Sequence, residues 1–140
     1  MAERVLEFII PYPETKQGKT EWSKRYGLNA YWAGKHWAER KRDAEYWHWL
    51  TRAELHGLLG EIPHFTRPVM VTYWHNDRLD IDNHAAIGKM ILDALKGAVV
   101  DDDDRAHVRR VTHDFWDGDG IRVRVEEIRQ DNEEEESNAD

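Results

Sequence analysis

The residues that could do chemistry are concentrated between Arg78 and Val108. Acidic side chains occur there in two groups: Asp80 and Asp82 come first, and the run 101–104 consists of four consecutive aspartates. Lys89 lies between the two groups. Carboxylates that converge beside a lysine are the groups needed to hold Mg²⁺ against a phosphodiester. The pattern therefore predicts a site for a divalent cation and a phosphate backbone.

The spacing of these residues indicates how local structure would present them. The first two carboxylates are two residues apart, so on an extended segment both would point to the same side. Asn83 can cap a helix, and an apolar stripe at helical spacing then predicts a helix that ends at Gly97. Lys89 and Asp93 fall on the same row as Asp82. Because helical side chains tilt toward the N-terminus, we expect Lys89 to lean back toward the first carboxylates.

These motifs resemble those of the RusA-type Holliday-junction resolvases, endodeoxyribonucleases common in prophages. The matching residues are Asp80-Ile-Asp82-Asn83, Lys89, Asp93-Ala94-Leu95, Asp102-Asp103 and Val108. A second match comprises Leu28 to Gly34, His36-Trp37 and Arg40-Lys41. With the strand-like ends included, the resemblance covers residues 1–128 of the chain.

The resemblance implies both the ion and the residues that use it. The cation would be Mg²⁺ or Mn²⁺, and its ligands would be Asp80, Asp82, Asp102 and Asp103. Lys89 would stabilise the negative charge that develops at the phosphate or orient the attacking water, so the catalytic residues would be Asp80, Asp82, Lys89 and Asp103. The bound metal would activate water for attack on phosphorus.

The chain departs from the pattern of these resolvases in two places. Five residues separate Asn83 from Lys89, where the best-known form has two. Three additional helical residues turn the lysine only about 60° away from a full turn, so it stays near the same face. The run of four aspartates leaves open which one matches the last catalytic position. Counting back from Val108 favours Asp103, with Asp101 and Asp104 as the alternatives.

The resemblance implies a homodimeric, structure-selective endonuclease that resolves four-way DNA junctions in recombination and repair. Two other functions fit the same residues. The chain could occupy junctions without cutting them, since the lysine spacing is altered. It could also be a metal-dependent nuclease for flap DNA or RNA. A cleavage assay with and without Mg²⁺ on these substrates would separate the three.

A basic segment precedes these motifs. Residues 16–42 contain eight lysines and arginines against two glutamates, with tryptophans and tyrosines interleaved. Basic groups neutralise phosphates and aromatic rings can stack on bases. The segment also fits a solvated loop and helix face with an aromatic core. The predicted DNA-binding residues are Lys16, Lys19, Lys24, Arg25, Asn29, Lys35, Arg40, Lys41 and Arg42.

Composition bears on the domain organisation and on the location of the protein. The 140 residues predict one nuclease domain, 1–130, followed by a disordered acidic tail, 131–140, in which six acids and no base lie. The net charge of −8 thus falls to −2 without the tail. No cysteine is present, no apolar run is long enough to span a membrane, and we expect a cytoplasmic protein. The eight histidines follow no zinc motif.

The predicted elements are strand 4–10, a long basic loop 14–30, helix 35–60, strand 67–76, the helix after Asn83, and a hairpin made of 107–116 and 120–128. Strands that alternate with two long helices and end in a hairpin indicate an α+β fold, with a mixed β-sheet covered by two main helices. The resemblance to the RusA-type resolvases implies the same architecture.

Overall fold

The structure is a computed structural model that describes residues 4–58 and 62–128. Within these residues, a 3₁₀ helix accompanies the strands and α-helices. The elements are β1 (Val5–Ile10), α1 (Lys16–Tyr26), α2 (Leu28–Trp32), α3 (Trp37–His56), β2 (Val69–His75), the 3₁₀ helix (Ile81–His84), α4 (Ala85–Leu95), β3 (Val108–Phe115) and β4 (Ile121–Glu127). The predicted acidic tail lies outside the described residues.

The four strands form one sheet in the order β1-β4-β2-β3. β4 runs antiparallel to both of its neighbours, whereas β2 and β3 are parallel. Parallel neighbours need a crossover connection, and here it is supplied by the 3₁₀ helix and α4. The predicted α+β class with a mixed sheet is confirmed.

The predicted hairpin is wrong, although both of its strands form. β3 and β4 do not pair with each other, because β4 lies between β1 and β2. The connection 116–120 crosses the end of β2, where the Trp116 amide donates to the His75 carbonyl at 3.0 Å. Inward residues of β4 are fully buried, whereas β3 is largely exposed. The apolar strand therefore occupies the centre of the sheet and the polar strand its edge.

The core lies between the sheet and the helices. Alternate residues of β1 and β4 are buried, as expected for strands with one solvated face. On α4, the predicted apolar stripe is confirmed, because all four of its residues are buried. That stripe consists of Ile87, Ile91, Ala94 and Leu95.

The predicted loop 14–30 is wrong, because most of it is helical. Thr15 caps α1 by accepting a hydrogen bond from the Gly18 amide at 2.9 Å. Trp22 and Tyr26, four residues apart, place one side of α1 in the core. The rest of the segment is mostly polar, so these two aromatic residues did not give it a recognisable helical period.

Helix α3 packs against α4 and stabilises its end. Arg52 of α3 donates from Nε to the Ala94 carbonyl at 2.6 Å and from Nη2 to the Lys96 carbonyl at 2.9 Å. The last carbonyls of a helix lack partners within the helix, and a cation also complements the helix dipole there. Gly97 follows with a φ of 82°, a conformation that favours glycine. The predicted end of this helix is thus confirmed to within two residues.

We expect Arg52→Ala to lower the free energy of unfolding by about 1.5–3 kcal/mol, the usual contribution of hydrogen bonds that involve a charged group. The matched control is Arg42→Ala, an exposed arginine of the same helix, with an expected change within about 0.5 kcal/mol. Urea denaturation followed by circular dichroism measures both. Equal stability of the two variants would show that Arg52 does not stabilise the end of α4.

Candidate functional site

The segment between β2 and α4 is held in place by the carboxylate of Asp77, a side chain that is only 7% exposed. Its oxygens accept hydrogen bonds from the Tyr12 hydroxyl at 3.0 Å and the Leu79 amide at 2.9 Å. His84 Nε2 lies 2.8 Å from Asp77 Oδ1. The Tyr12 oxygen also accepts from the Asn76 amide. Burial raises the pKa of Tyr12, so its hydroxyl remains a donor and both ends of the segment are tied to the body.

Asp80 and Asp82 lie within this segment and are exposed. Asp80 is the N-cap of the 3₁₀ helix and its side chain makes no capping hydrogen bond. Asp82 belongs to the 3₁₀ helix, so the prediction of a shared extended segment is wrong. Two steps along a 3₁₀ helix turn a side chain by about 240°, not onto the same side. Asn83 is also helical, and His84 takes its predicted place as N-cap of α4.

Lys89 is on the exposed side of α4, as predicted, with a side chain 68% exposed. Its ammonium lies 3.2 Å from Asp93 Oδ2, which is toward the C-terminal end of the helix. The expectation that Lys89 leans back toward Asp80 and Asp82 is therefore wrong. Asp93 is one helical turn away and provides a closer partner than the carboxylates before the helix.

The run of four aspartates does not converge on one point, because each carboxylate has a different partner. Asp103 lies 3.3 Å from Lys96, which also contacts Asp93 at 3.6 Å. Desolvation would raise the pKa of Asp103, but the hydrogen bond from Lys96 holds it below its usual value. Asp102 accepts from the amide of Asp103. The remaining pairs are Asp101 with His64 and Asp104 with His107.

The two predicted groups of carboxylates lie at opposite ends of α4. Asp82 precedes the helix, whereas Asp103 contacts Lys96, which directly follows it. The 11 residues of α4 span about 16 Å. Within residues 4–58 and 62–128, these aspartates do not form a group of three ligand atoms within 4.8 Å of one another. The predicted convergence is not observed, and the role of each as a metal ligand stays a prediction.

A different set of ligand-type side chains does converge. One ring nitrogen each from His75 and His84 and one oxygen of Asp77 all lie within 4.8 Å of one another. The two imidazoles are fully buried and stack with ring centroids 3.7 Å apart. His113 extends the group, since its Nδ1 lies 2.9 Å from His75 Nε2. Sequence spacing alone did not predict this group.

The positions of these side chains follow from the sheet. His75 ends β2 and pairs with Phe115 of the parallel strand β3, and His113 lies two residues before Phe115, in register with Tyr73. Gly88 permits this approach, because a Cβ atom there would lie 2.8 Å from the His113 ring. Burial lowers the pKa of His75 to about 3 and also lowers the pKa of His113. A signal was present in the sequence: His75 and Asp77 are two residues apart at the end of a predicted strand.

A cleft of about 450 Å³ lies between α1 and the segment that follows β2. Three predicted DNA-binding residues, Lys16, Lys19 and Lys24, line it together with Arg78. Asp77 is the single acidic residue in its lining. The structure thus brings part of the basic segment next to the segment that carries the first two predicted catalytic carboxylates.

Two other predicted DNA-binding residues, Lys35 and Arg25, form ion pairs with a buried carboxylate. Lys35 is buried, with a side chain 8% exposed, and lies 2.6 Å from Asp43 Oδ2. Arg25 pairs with the other oxygen of Asp43 at 2.7 Å. Because Asp43 is itself buried, it needs both cations as partners. Lys35 therefore stabilises a buried carboxylate, and Arg25 is shared between Asp43 and solvent. The DNA-binding role of both residues stays a prediction.

The rest of the basic segment remains on the surface. Asn29, Lys41 and Arg42 are exposed, and the Arg40 guanidinium lies over the Tyr31 ring at 4.6 Å. The aromatic residues of the basic segment include both buried and exposed side chains. Trp22 and Tyr26 are core residues, whereas Trp37 is 71% exposed. Base stacking by the first two is excluded by burial.

A scan against protein-family models found no match, and a search of curated proteins also found none. Among the helices of the described residues, none combines the length and apolar character needed to cross a membrane.

We expect Lys35→Met to lower the free energy of unfolding by about 1.5–3 kcal/mol, because it leaves a buried carboxylate with one partner fewer. The exposed Lys41→Met is the matched control and should change stability by less than about 0.5 kcal/mol. Thermal or urea unfolding measures both. A neutral Lys35→Met variant that binds DNA more weakly would restore Lys35 to the DNA-binding surface.

Proposed function

We propose that this protein is a metal-dependent endonuclease of the RusA type that cuts branched DNA, with four-way junctions as its principal substrate. The observation that carries the proposal is the basic cleft beside the exposed pair Asp80 and Asp82. Arg78 is part of the cleft wall and precedes Asp80 by two residues. A phosphate backbone held in the cleft would pass next to the two carboxylates.

The charges of the cleft suit a phosphate backbone. Four cations and one carboxylate line it, so the local balance is positive although the whole chain carries −8. A concave surface of one sign concentrates the opposite charge near it. Contacts to phosphates fix position without reading sequence, as recognition of a branched structure requires.

The donors of Asp80 and Asp82 fit Mg²⁺ or Mn²⁺. Carboxylate oxygens suit hard cations, and Mg²⁺ in nucleotide-processing sites uses one or two carboxylates together with water and substrate phosphate. Within the part of the chain that the structure describes, neither side chain has a hydrogen bond or an ion pair to another residue, so both remain available. When bound, such an ion supplies an activated water and offsets charge on the leaving oxygen.

The other predicted catalytic residues are supported by different observations. Lys89 is exposed and its ammonium can turn from Asp93 to a phosphate, because one exposed ion pair contributes little. Asp102 and Asp103 lie beyond the far end of α4, so their role rests on the motif alone. A homodimer would place two such sites on one junction, matching the two strands that must be cut.

The same cleavage assay distinguishes the two alternative functions. A chain that binds junctions and leaves them uncut in Mg²⁺ is a junction-binding protein, and the separation of Asp103 from Asp82 favours this second function. Preferential cutting of flap DNA or RNA would identify a different phosphodiesterase.

We expect Asp80→Asn and Asp82→Asn each to reduce cleavage of a synthetic four-way junction by more than about tenfold, while junction binding is retained. An amide keeps the shape of the carboxylate but loses the charge that holds the cation. Glu45→Gln, an exposed carboxylate of α3, is the matched control and should cut at the wild-type rate. Full activity of Asp82→Asn would remove that residue from the site. Single Asn variants of 101–104 in the same assay identify any third ligand.

We expect Lys19→Ala and Lys24→Ala to weaken binding to junctions and to duplex DNA alike. Each should reduce the slope of log affinity against log salt by about 1, the contribution of one phosphate contact. Arg67→Ala is the control. Arg67 precedes the start of β2, whereas the cleft lies after its end, and it pairs with Glu127. Fluorescence anisotropy over a salt series measures the slopes. Unchanged slopes in both lysine variants would show that DNA does not occupy the cleft.

A further inference from the structure

From the geometry of the buried group, we infer that His75, Asp77 and His84 form a binding site for a transition-metal dication of the Zn²⁺ type. This site is separate from the Mg²⁺ site proposed above, because it uses imidazoles and lies on the inner side of the segment. Imidazole suits Zn²⁺, Co²⁺ and Ni²⁺, whereas Mg²⁺ prefers oxygen ligands. Two histidines and a carboxylate are a common three-ligand set for zinc.

The distances require little adjustment. The three ligand atoms lie within 4.8 Å of one another. Around a tetrahedral zinc ion with bonds of about 2.0–2.1 Å, ligand atoms are about 3.3 Å apart. His84 Nε2 and Asp77 Oδ1 are already 2.8 Å apart, so closure involves a shift of His75 of at most about 1.5 Å. It also requires one of the two stacked rings, now 22° from parallel, to rotate, because each lone pair lies in the plane of its ring.

The ring nitrogens of His84 show why a cation fits beside Asp77. His84 Nδ1 lies 3.2 Å from the Ile81 carbonyl, which can only accept a hydrogen bond. Nε2 lies 2.8 Å from Asp77 Oδ1, so both ring nitrogens face oxygens that accept hydrogen bonds. A neutral imidazole has only one N–H for these two contacts. The other contact is satisfied by a second proton or, on the side of Asp77, by a metal ion.

His75 provides the independent observation that points to a metal. This residue is fully buried, and its Nδ1 has no hydrogen-bond partner among the described residues. Its Nε2 lies 2.9 Å from Nδ1 of His113. If Nε2 donates to His113, then Nδ1 holds a buried lone pair with no donor to satisfy it. A histidine that binds a metal through one nitrogen and donates from the other has this arrangement.

A metal ion can reach this site from solvent, and its binding would constrain the segment 76–83. Asp77 lines the cleft, so the site communicates with solvent through it. His75 ends β2 and His84 ends the 3₁₀ helix, so one ion would join the two ends of the segment 76–83. Asp80 and Asp82 lie on that segment. Their positioning by the ion rests on the proposed function, whereas binding of the ion does not.

The competing explanation is an ion pair without metal, in which His84 is an imidazolium beside Asp77. The two differ in what they require of His75, which has no part in that ion pair. They also differ in whether a metal ion changes stability. A protein that binds a ligand only when folded is stabilised by that ligand.

The test uses the full-length chain without a polyhistidine tag, titrated with Zn²⁺ and with Co²⁺ in the absence of DNA. We expect one ion per chain, a higher melting temperature with Zn²⁺, and visible d–d absorption of Co²⁺ with nitrogen ligation. His75→Phe keeps the stacked ring and removes both nitrogens, and Asp77→Asn keeps the shape of the carboxylate. Each should weaken Zn²⁺ binding at least tenfold. His48→Ala, an exposed histidine of α3, is the control and should bind as the wild type does.

Several results would overturn the inference: no retained ion in the wild type, unchanged affinity in the folded His75→Phe variant, or equal loss in His48→Ala. If a ligand variant fails to fold, the stoichiometry and the Co²⁺ spectrum of the wild type decide. The proposed nuclease fails separately, through the cleavage assay with Asp82→Asn. Cleavage that needs Asp82 in a protein that takes up no Zn²⁺ would retain the nuclease and remove the metal site.

Discussion

The buried carboxylate of Asp77 is the constraint on which the candidate site depends. Its hydrogen bonds reach Tyr12, which follows β1, and the Leu79 amide, and His84 closes the segment on the other side. A carboxylate in such a place must be surrounded by donors or cations, since an unpaired buried charge is strongly unfavourable. The same requirement keeps Asp77 in the wall of the cleft with Arg78, two residues before the exposed Asp80.

The crossover from β2 to β3 explains why the acidic residues form two groups. Parallel strands run in the same direction, so α4 must return the chain from the C-terminal end of β2 to the N-terminal end of β3. Residues before α4 and residues after it therefore lie at opposite ends of the strands. Asp82 and Asp103 are in this relation, and Lys96 provides a local counter-charge for Asp103. Motif spacing does not contain the direction in which a helix runs across a sheet.

The charge of the cleft differs in sign from the net charge of the whole chain. The chain is acidic overall, yet the cleft is lined by four cations. The basic segment divides into surface cations, among them the lysines of α1, and the two partners of the buried Asp43, which are the buried Lys35 and the partly exposed Arg25. Position in the fold thus decides which cations can meet a phosphate. For the proposed nuclease, the cleft beside Asp80 is the electrostatic feature that matters.

The sequence by itself determined the elements with strong periodicity. The strand ending at His75, the buried stripe of α4 and the class of the fold were all predicted, because alternation and 3.6-residue spacing are local properties. Helix α1 was missed, since Trp22 and Tyr26 are too few to give a polar segment a clear period. Only the tertiary structure decided the place of β4 in the sheet, because pairing depends on burial of whole strands. It alone also brought His75, Asp77 and His84 together with His113, since these residues meet through a parallel register that no local spacing records.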